Sequence, residues 1–289
     1  MKQPTNLLRG VTSMDSRLFV GLAAGATGLY LCLRLRRRPQ LRLTYLDFKG
    51  HGEAIRLALA MGGLEFEDRR VSYSDIERMR GEGSLPYGQV PLLEIDGAPY
   101  NQYAALLHWA GEKAGLYPAA EAARLRVDGA LVCLSDLNKD LASVWYGNVL
   151  GRNPQTGKLC TDTALSQKQK DAVARHLNAE LLPARLGQLE RAALSSDGPF
   201  LCGASLTIAD LQLYVVASGL LDGSHCEGIK PAILEGCTRL REIVKLVGEH
   251  PRVAQWEREA RDVARRKAAL AAAADWTRNA RDYAAGKLV

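Results

Sequence analysis

Residues 85–94 read Leu85-Pro86-Tyr87-Gly88-Gln89-Val90-Pro91-Leu92-Leu93-Glu94, and the fold is decided around them. The run Leu92-Leu93-Glu94-Ile95 is a short apolar strand that leads into Asp96-Gly97, a two-residue hairpin turn. Upstream, Leu41–Phe48 (LRLTYLDF) alternates and is apolar enough for a strand. Gly50-His51-Gly52 then opens a helix, Glu53–Met61 keeps helical apolar spacing, and Gly62-Gly63 stops it. Phe66–Val71 supplies another strand, and a helix or loop fills the gap before Leu85. Downstream, a helix is expected from about Gln102 to Lys113.

That order, β-α-β-(helix or loop)-β-β-α, predicts a thioredoxin-like α/β domain over residues 41–117. After Pro118 only helical patterns occur, so an all-helical domain is expected over 118–256. A polar, Gly/Asn/Pro-bearing loop between helices is expected at 146–170, and residues 257–289 form an extra Ala/Arg-rich helical tail. In that tail Trp276 and Tyr283, seven apart, could anchor a partner; a solvated tail is the other reading.

Composition narrows the classes. The chain has 289 residues, 47% hydrophobic, 24% charged and 6% aromatic, which excludes a disordered tail, a collagen-like repeat and a disulfide-dense mini-domain. Six cysteines (Cys32, Cys133, Cys160, Cys202, Cys226, Cys237) are scattered without a C-x-x-C pair, so reduced thiols are expected. His225 beside Cys226 is too little for zinc, and no metal is expected. The net charge is +6, but residues 1–42 carry eight basic side chains against Asp15 alone. Residues 257–289 carry eight basic and five acidic side chains, which leaves the body between the two ends acidic. An acidic body argues against a nucleic-acid partner.

The segment 1–40 reads as a membrane anchor with a transmembrane helix at about 17–35. Leu18–Leu33 (LFVGLAAGATGLYLCL) is uncharged and is flanked by Arg17 and by Arg34, Arg36, Arg37 and Arg38. Its sixteen residues span about 24 Å as a helix against a hydrocarbon core of about 30 Å, and the flanking arginines can snorkel. Gly21, Ala24, Gly25 and Gly28 would permit close approach of a neighbouring helix. A cleaved signal peptide and a transit peptide are the alternatives. The basic cluster after the span places the body on the side where positive loops stay. In a mitochondrial inner membrane that side is the matrix; the cytosolic face of the endoplasmic reticulum or another organelle is the alternative.

Several motifs carry a family resemblance. Thr44-Tyr45-Leu46-Asp47-Phe48-Lys49-Gly50-His51-Gly52-Glu53-Ala54-Ile55-Arg56 resembles the opening Y-F-x-x-R-G-R-A-E-x-I-R of sigma-class glutathione transferases, the class of the glutathione-dependent prostaglandin D synthases. Leu85–Glu94 is similar to their L-P-F-G-Q-V-P-x-L-E. In the second domain, Gly203-Ala204-Ser205-Leu206-Thr207-Ile208-Ala209-Asp210 resembles their helix start, where Thr207 and Asp210 should form a reciprocal capping box. His250-Pro251-Arg252-Val253-Ala254-Gln255-Trp256 is similar to the end of their domain. The resemblance covers roughly residues 41–256.

The resemblance implies a glutathione site. Tyr45 would donate a hydrogen bond to the glutathione sulfur and favour the thiolate, unless it only fills a half-buried strand position. Val90-Pro91 would pair with the cysteinyl part, and Gln102 would contact the γ-glutamyl end. Other positions depart from the pattern. The serine that follows the glutamine is Tyr103, the second arginine of R-G-R is His51, the tryptophan position falls on Arg78, and the lysine that pairs with the glycyl carboxylate falls on Glu82. The aspartate that reaches across from a partner subunit aligns with Val132, which makes a homodimer doubtful. Each lost charge-assisted contact should cost about 1.5–3 kcal/mol, although Arg78 could hold a carboxylate in compensation. Two functions are therefore expected. One is a non-catalytic accessory subunit of a membrane complex, gripped through the anchor and the 257–289 tail. The other is a glutathione-dependent transferase, peroxidase or prostaglandin-type isomerase working through Tyr45, with glutathione as cofactor. A pocket that holds a lipid-like ligand without chemistry is a third, lesser reading.

Overall fold

The computed structural model describes residues 38–148, 167–221 and 228–260. The described residues from Leu41 onward belong to one compact unit. The expected span at 17–35 lies outside the described residues, as do His225, Cys226, Trp276 and Tyr283. Among the described residues no helix is long and apolar enough to cross a membrane.

Four strands make one sheet: β1 (Leu41–Leu46), β2 (Glu67–Val71), β3 (Leu92–Ile95) and β4 (Ala98–Asn101), in the order β2-β1-β3-β4. β1 runs parallel to β2 and antiparallel to β3, with Tyr45 opposite Arg70 and Thr44 opposite Leu92. A parallel neighbour requires a crossover, which α1 (Gly50–Met61) supplies. β1 is buried almost throughout rather than on alternate residues, because as an interior strand it is covered on both faces. The undecided stretch after β2 is a helix, α2 (Tyr73–Gly81). Ser72 caps it reciprocally: its side chain accepts from the Asp75 N–H, and the Asp75 carboxylate accepts from the Ser72 N–H. α3 (Tyr103–Ala114) completes the domain.

The rest is helical. α4 (Glu121–Asn148), α5 (Gln167–His176), α6 (Leu182–Leu194), α7 (Ile208–Leu221), α8 (Thr238–Glu249) and α9 (Pro251–Ala260) are joined in part by a π turn at Leu177–Leu181 and a 3₁₀ turn at Pro231–Leu234. The expected loop at 146–170 is shorter at both ends, since 146–148 continue α4 and 167–170 begin α5; the remainder lies outside the described residues. α7 is buried nearly all round and packs against α1, α4 and α8. At its start the expected reciprocal box is one-sided. The Asp210 carboxylate accepts from the Thr207 N–H (2.8 Å), the Thr207 hydroxyl (2.9 Å) and the Leu201 N–H (2.7 Å), so the threonine hydroxyl donates to the acid instead of accepting from the helix. Burial pushes the Asp210 pKa up, against the pull of these bonds. α9 runs past the expected domain end at 256 to Ala260, and Glu257 is buried.

α9 ties the helical domain to the sheet domain. Trp256 donates its indole N–H to Glu53 (2.8 Å), Lys49 pairs with Glu257 (2.8 Å), and Arg252 donates to the Ala60 carbonyl (3.1 Å). Tyr214 of α7 also donates to Glu257 at 3.1 Å. These bonds hold both ends of α1 against the second domain.

Candidate functional site

Tyr45 lies near the end of β1, and the chain returns over it at the start of α1. Two glycines allow the close approach. Gly50 has φ +37, and an added Cβ there would stand 2.6 Å from the Tyr45 hydroxyl; at Gly52 it would stand 2.5 Å from the ring. As a result the His51 N–H, at the N-terminal end of α1, donates to the Tyr45 oxygen at 3.0 Å. An N–H on the oxygen polarises the hydroxyl toward donating its own proton, which is the property a thiolate-stabilising tyrosine needs. Tyr45 is 4% exposed, more deeply set than the half-buried position considered above. The Arg56 guanidinium lies 5.6 Å from its ring centre and Phe48 meets it edge-on.

The Val90-Pro91 bond is cis. Asn101, at the end of β4, ties this loop down: its amide donates to the Gln89 (2.9 Å) and Pro91 (2.8 Å) carbonyls, and its oxygen accepts from the Tyr87 N–H. The next residue, Gln102, has φ 78 and ψ 113, a conformation rare for a residue with a side chain, and it stands exposed at the start of α3. Backbone strain of this kind persists only where the surroundings enforce it, and it clusters at binding sites.

Tyr103 follows, and its side chain crosses to the helical domain. Its hydroxyl donates to the Oε1 of Gln212 in α7, a side chain only 2% exposed. The His51 ring tilts against the Tyr103 ring at 4.9 Å between centres. Loss of solvent, and after it the nearby Tyr45, raise the Tyr103 pKa, so the phenol stays protonated. The His51 imidazole keeps a face to solvent, yet the protein around it lowers its pKa, which favours the neutral ring.

Arg78 and Glu82 lie on and just after α2 and face each other. Arg78 pairs with Asp75 (3.2 Å) and Glu82 (3.1 Å), all three being well exposed. Arg80, unremarked in the sequence, bonds Glu77 and reaches the Gly88 carbonyl in the loop before Pro91. Val132 is 61% exposed on α4. One turn earlier, Asp128 accepts from the Tyr117 hydroxyl (3.0 Å) and lies 2.7 Å from His108 Nε2. The structure thus brings Tyr45, His51, Tyr103 and Gln212 together, with Val90, Pro91 and Gln102 on adjoining loops. Gln212 was missed by sequence reasoning. The signal for it was the lone amide of a largely apolar helix, Ile208–Leu221. Cys133, Cys202 and Cys237 are free thiols, and burial pushes Cys202 up to about 12. Among the described residues no three His, Cys, Asp or Glu side chains cluster to hold a metal.

Residues 159–260 match the family described as glutathione S-transferase, C-terminal domain. The chain is 28% identical to glutathione S-transferase 1 of Ascaris suum, across 75% of this chain and 95% of that protein. It is 26% identical to the hematopoietic prostaglandin D synthase of Homo sapiens, across 75% and 95%. Among solved structures, the glutathione S-transferase of Ascaris lumbricoides superposes with a TM-score of 0.65 at 26% identity, covering 78% of this chain and 98% of that one. The chain thus has the fold of these proteins, a thioredoxin-like sheet domain followed by a helical domain, and its residues 159–260 match their C-terminal domain.

Proposed function

We propose that this chain is a glutathione S-transferase-like protein with a degraded glutathione site, serving as a non-catalytic accessory subunit of a membrane complex, in the mitochondrial inner membrane with its body toward the matrix. The observation that carries the loss of the site is the charge at the C-terminal end of α2. Where the family resemblance puts a lysine, Glu82 stands instead, and Arg78 is flanked by Asp75 and Glu82, one positive charge against two negative. A glycyl carboxylate brought there meets net repulsion. The membrane part rests on the uncharged run Leu18–Leu33 and its arginine flanks. The partners would be proteins of that complex, reached through the anchor and the 257–289 tail.

A second reading, a working glutathione-dependent enzyme, is favoured by the Tyr45 hydroxyl with the His51 N–H on its oxygen. Calorimetry of the full chain with glutathione separates the two. No heat at millimolar glutathione is the expected result, with co-purification of an integral membrane complex as its counterpart. Sub-millimolar binding with a thiolate absorbance that Tyr45→Phe abolishes would replace the first reading by the second.

A further inference from the structure

We infer that Tyr103 is the specificity-determining residue of this cleft, a side chain that fills the place of a γ-glutamyl group beside Tyr45 and so excludes glutathione and other γ-glutamyl thiols. The inference rests on the reading that the site no longer holds glutathione, and it adds which residue closes it from the α3 side.

Three observations converge on it. Gln102 is held at φ 78 with its side chain exposed, while the very next residue sends its phenol the other way, to Gln212 of the helical domain. That phenol is pinned. Its hydroxyl donates to Gln212, whose 2% exposure leaves the amide oxygen little access to water, so swinging the ring out would strand a buried acceptor. The third observation is His51, whose ring lies against Tyr103 at 4.9 Å while its N–H holds the Tyr45 oxygen at 3.0 Å. The ring that fills the cleft and the hydroxyl that would receive a thiol are therefore joined through one residue. In this proposal the Tyr103 ring stands between Tyr45 and Gln102, where the amino-acid head of such a ligand would lie. The neighbouring Tyr45 contributes to the raised pKa of Tyr103, in keeping with this closeness.

The test uses the full chain and glutathione as the probe. Tyr103→Ser removes the ring and leaves a small hydroxyl, whereas Tyr103→Phe keeps the ring and removes only the bond to Gln212. Tyr103→Ser should tighten glutathione binding by about tenfold or more, and Tyr45→Phe added to it should abolish the thiolate absorbance. Tyr103→Phe should gain nothing. If wild type and a folded Tyr103→Ser protein are both silent, the inference is overturned while the closed-site reading stands. If wild type already binds at sub-millimolar glutathione and Tyr103→Ser binds no tighter, both fall. If wild type binds and Tyr103→Ser still tightens it, only the closed-site reading falls. Thermal unfolding reports whether Tyr103→Ser folds. Should it not, Tyr103→Leu, which keeps an apolar side chain but is shorter than the ring, must show a measurable gain, and its absence overturns the inference.

Discussion

Arg56 is the largest fully buried side chain in the molecule's described core, and it is charged. Its guanidinium donates to Asp68 (2.9 Å), Glu53 (3.2 Å) and the carbonyls of Phe48 (3.1 Å) and Leu46 (3.2 Å), so it knits the turn after β1 to α1 and β2. Glu53 has a second donor in Trp256, and Asp68 a second in Arg70. Replacing the cation while leaving its acids in place strands buried charge, which costs about 3–5 kcal/mol. Arg56→Met is therefore expected to lower the urea midpoint of the full chain steeply with the slope unchanged. An unchanged midpoint would mean that Trp256 and Arg70 suffice for the two acids. None of this was legible in the motif Glu53-Ala54-Ile55-Arg56, which reads equally well as a solvated i,i+3 pair. Burial came from β2 and α9, which lie far along the chain.

α2 illustrates how an element can be set by its first turn. Mean burial of its residues is low, and only Ile76 and Met79 face the core, so the Ser72–Asp75 box carries much of its definition. The Asp75 carboxylate is held down to about 2, first by the Ser72 hydroxyl, then by the Ser72 N–H and Arg78. The folded value lies below the ordinary one of 3.8, so the folded state binds fewer protons in between. The stabilisation is then complete above 3.8 and disappears as pH falls toward 2. Hydrogen exchange of the α2 amides should accelerate over that window, and Asp75→Asn should flatten the response. A wild-type α2 indifferent to acid would show that the cap contributes nothing. The sequence left this stretch as helix or loop because its glycines, Gly81 and Gly83, and its charged run give no clear periodicity; the cap is what decides it.

At the scale of the whole molecule, the two domains are joined by a polar seam along α1 and α9. Trp256→Phe keeps an aromatic ring beside Phe66, with which Trp256 stacks at 5.8 Å, and removes the indole N–H that serves Glu53 together with the second ring. Leaving that buried carboxylate one donor short should cost about 1–3 kcal/mol. The expected outcome is a melting temperature several degrees lower, with the sheet and helical domains still unfolding together. Separate transitions would show that this single bond couples the domains, and no shift would show that Arg56 alone satisfies Glu53.

What the sequence determined by itself was the plan: strand, helix and hairpin around Leu85–Glu94 and the switch to helices after Pro118. Those features are local, because alternation, turn chemistry and capping act over a few neighbouring residues. The tertiary structure alone decided where the side chains went. It turned Tyr103 across to Gln212, a residue 109 positions away, closed Arg78 onto the acids beside it, and buried Arg56 and Glu257. The reason is that a side chain's partner is chosen by what packing brings within reach and away from water, and contacts between residues so far apart along the chain leave no periodic trace in it.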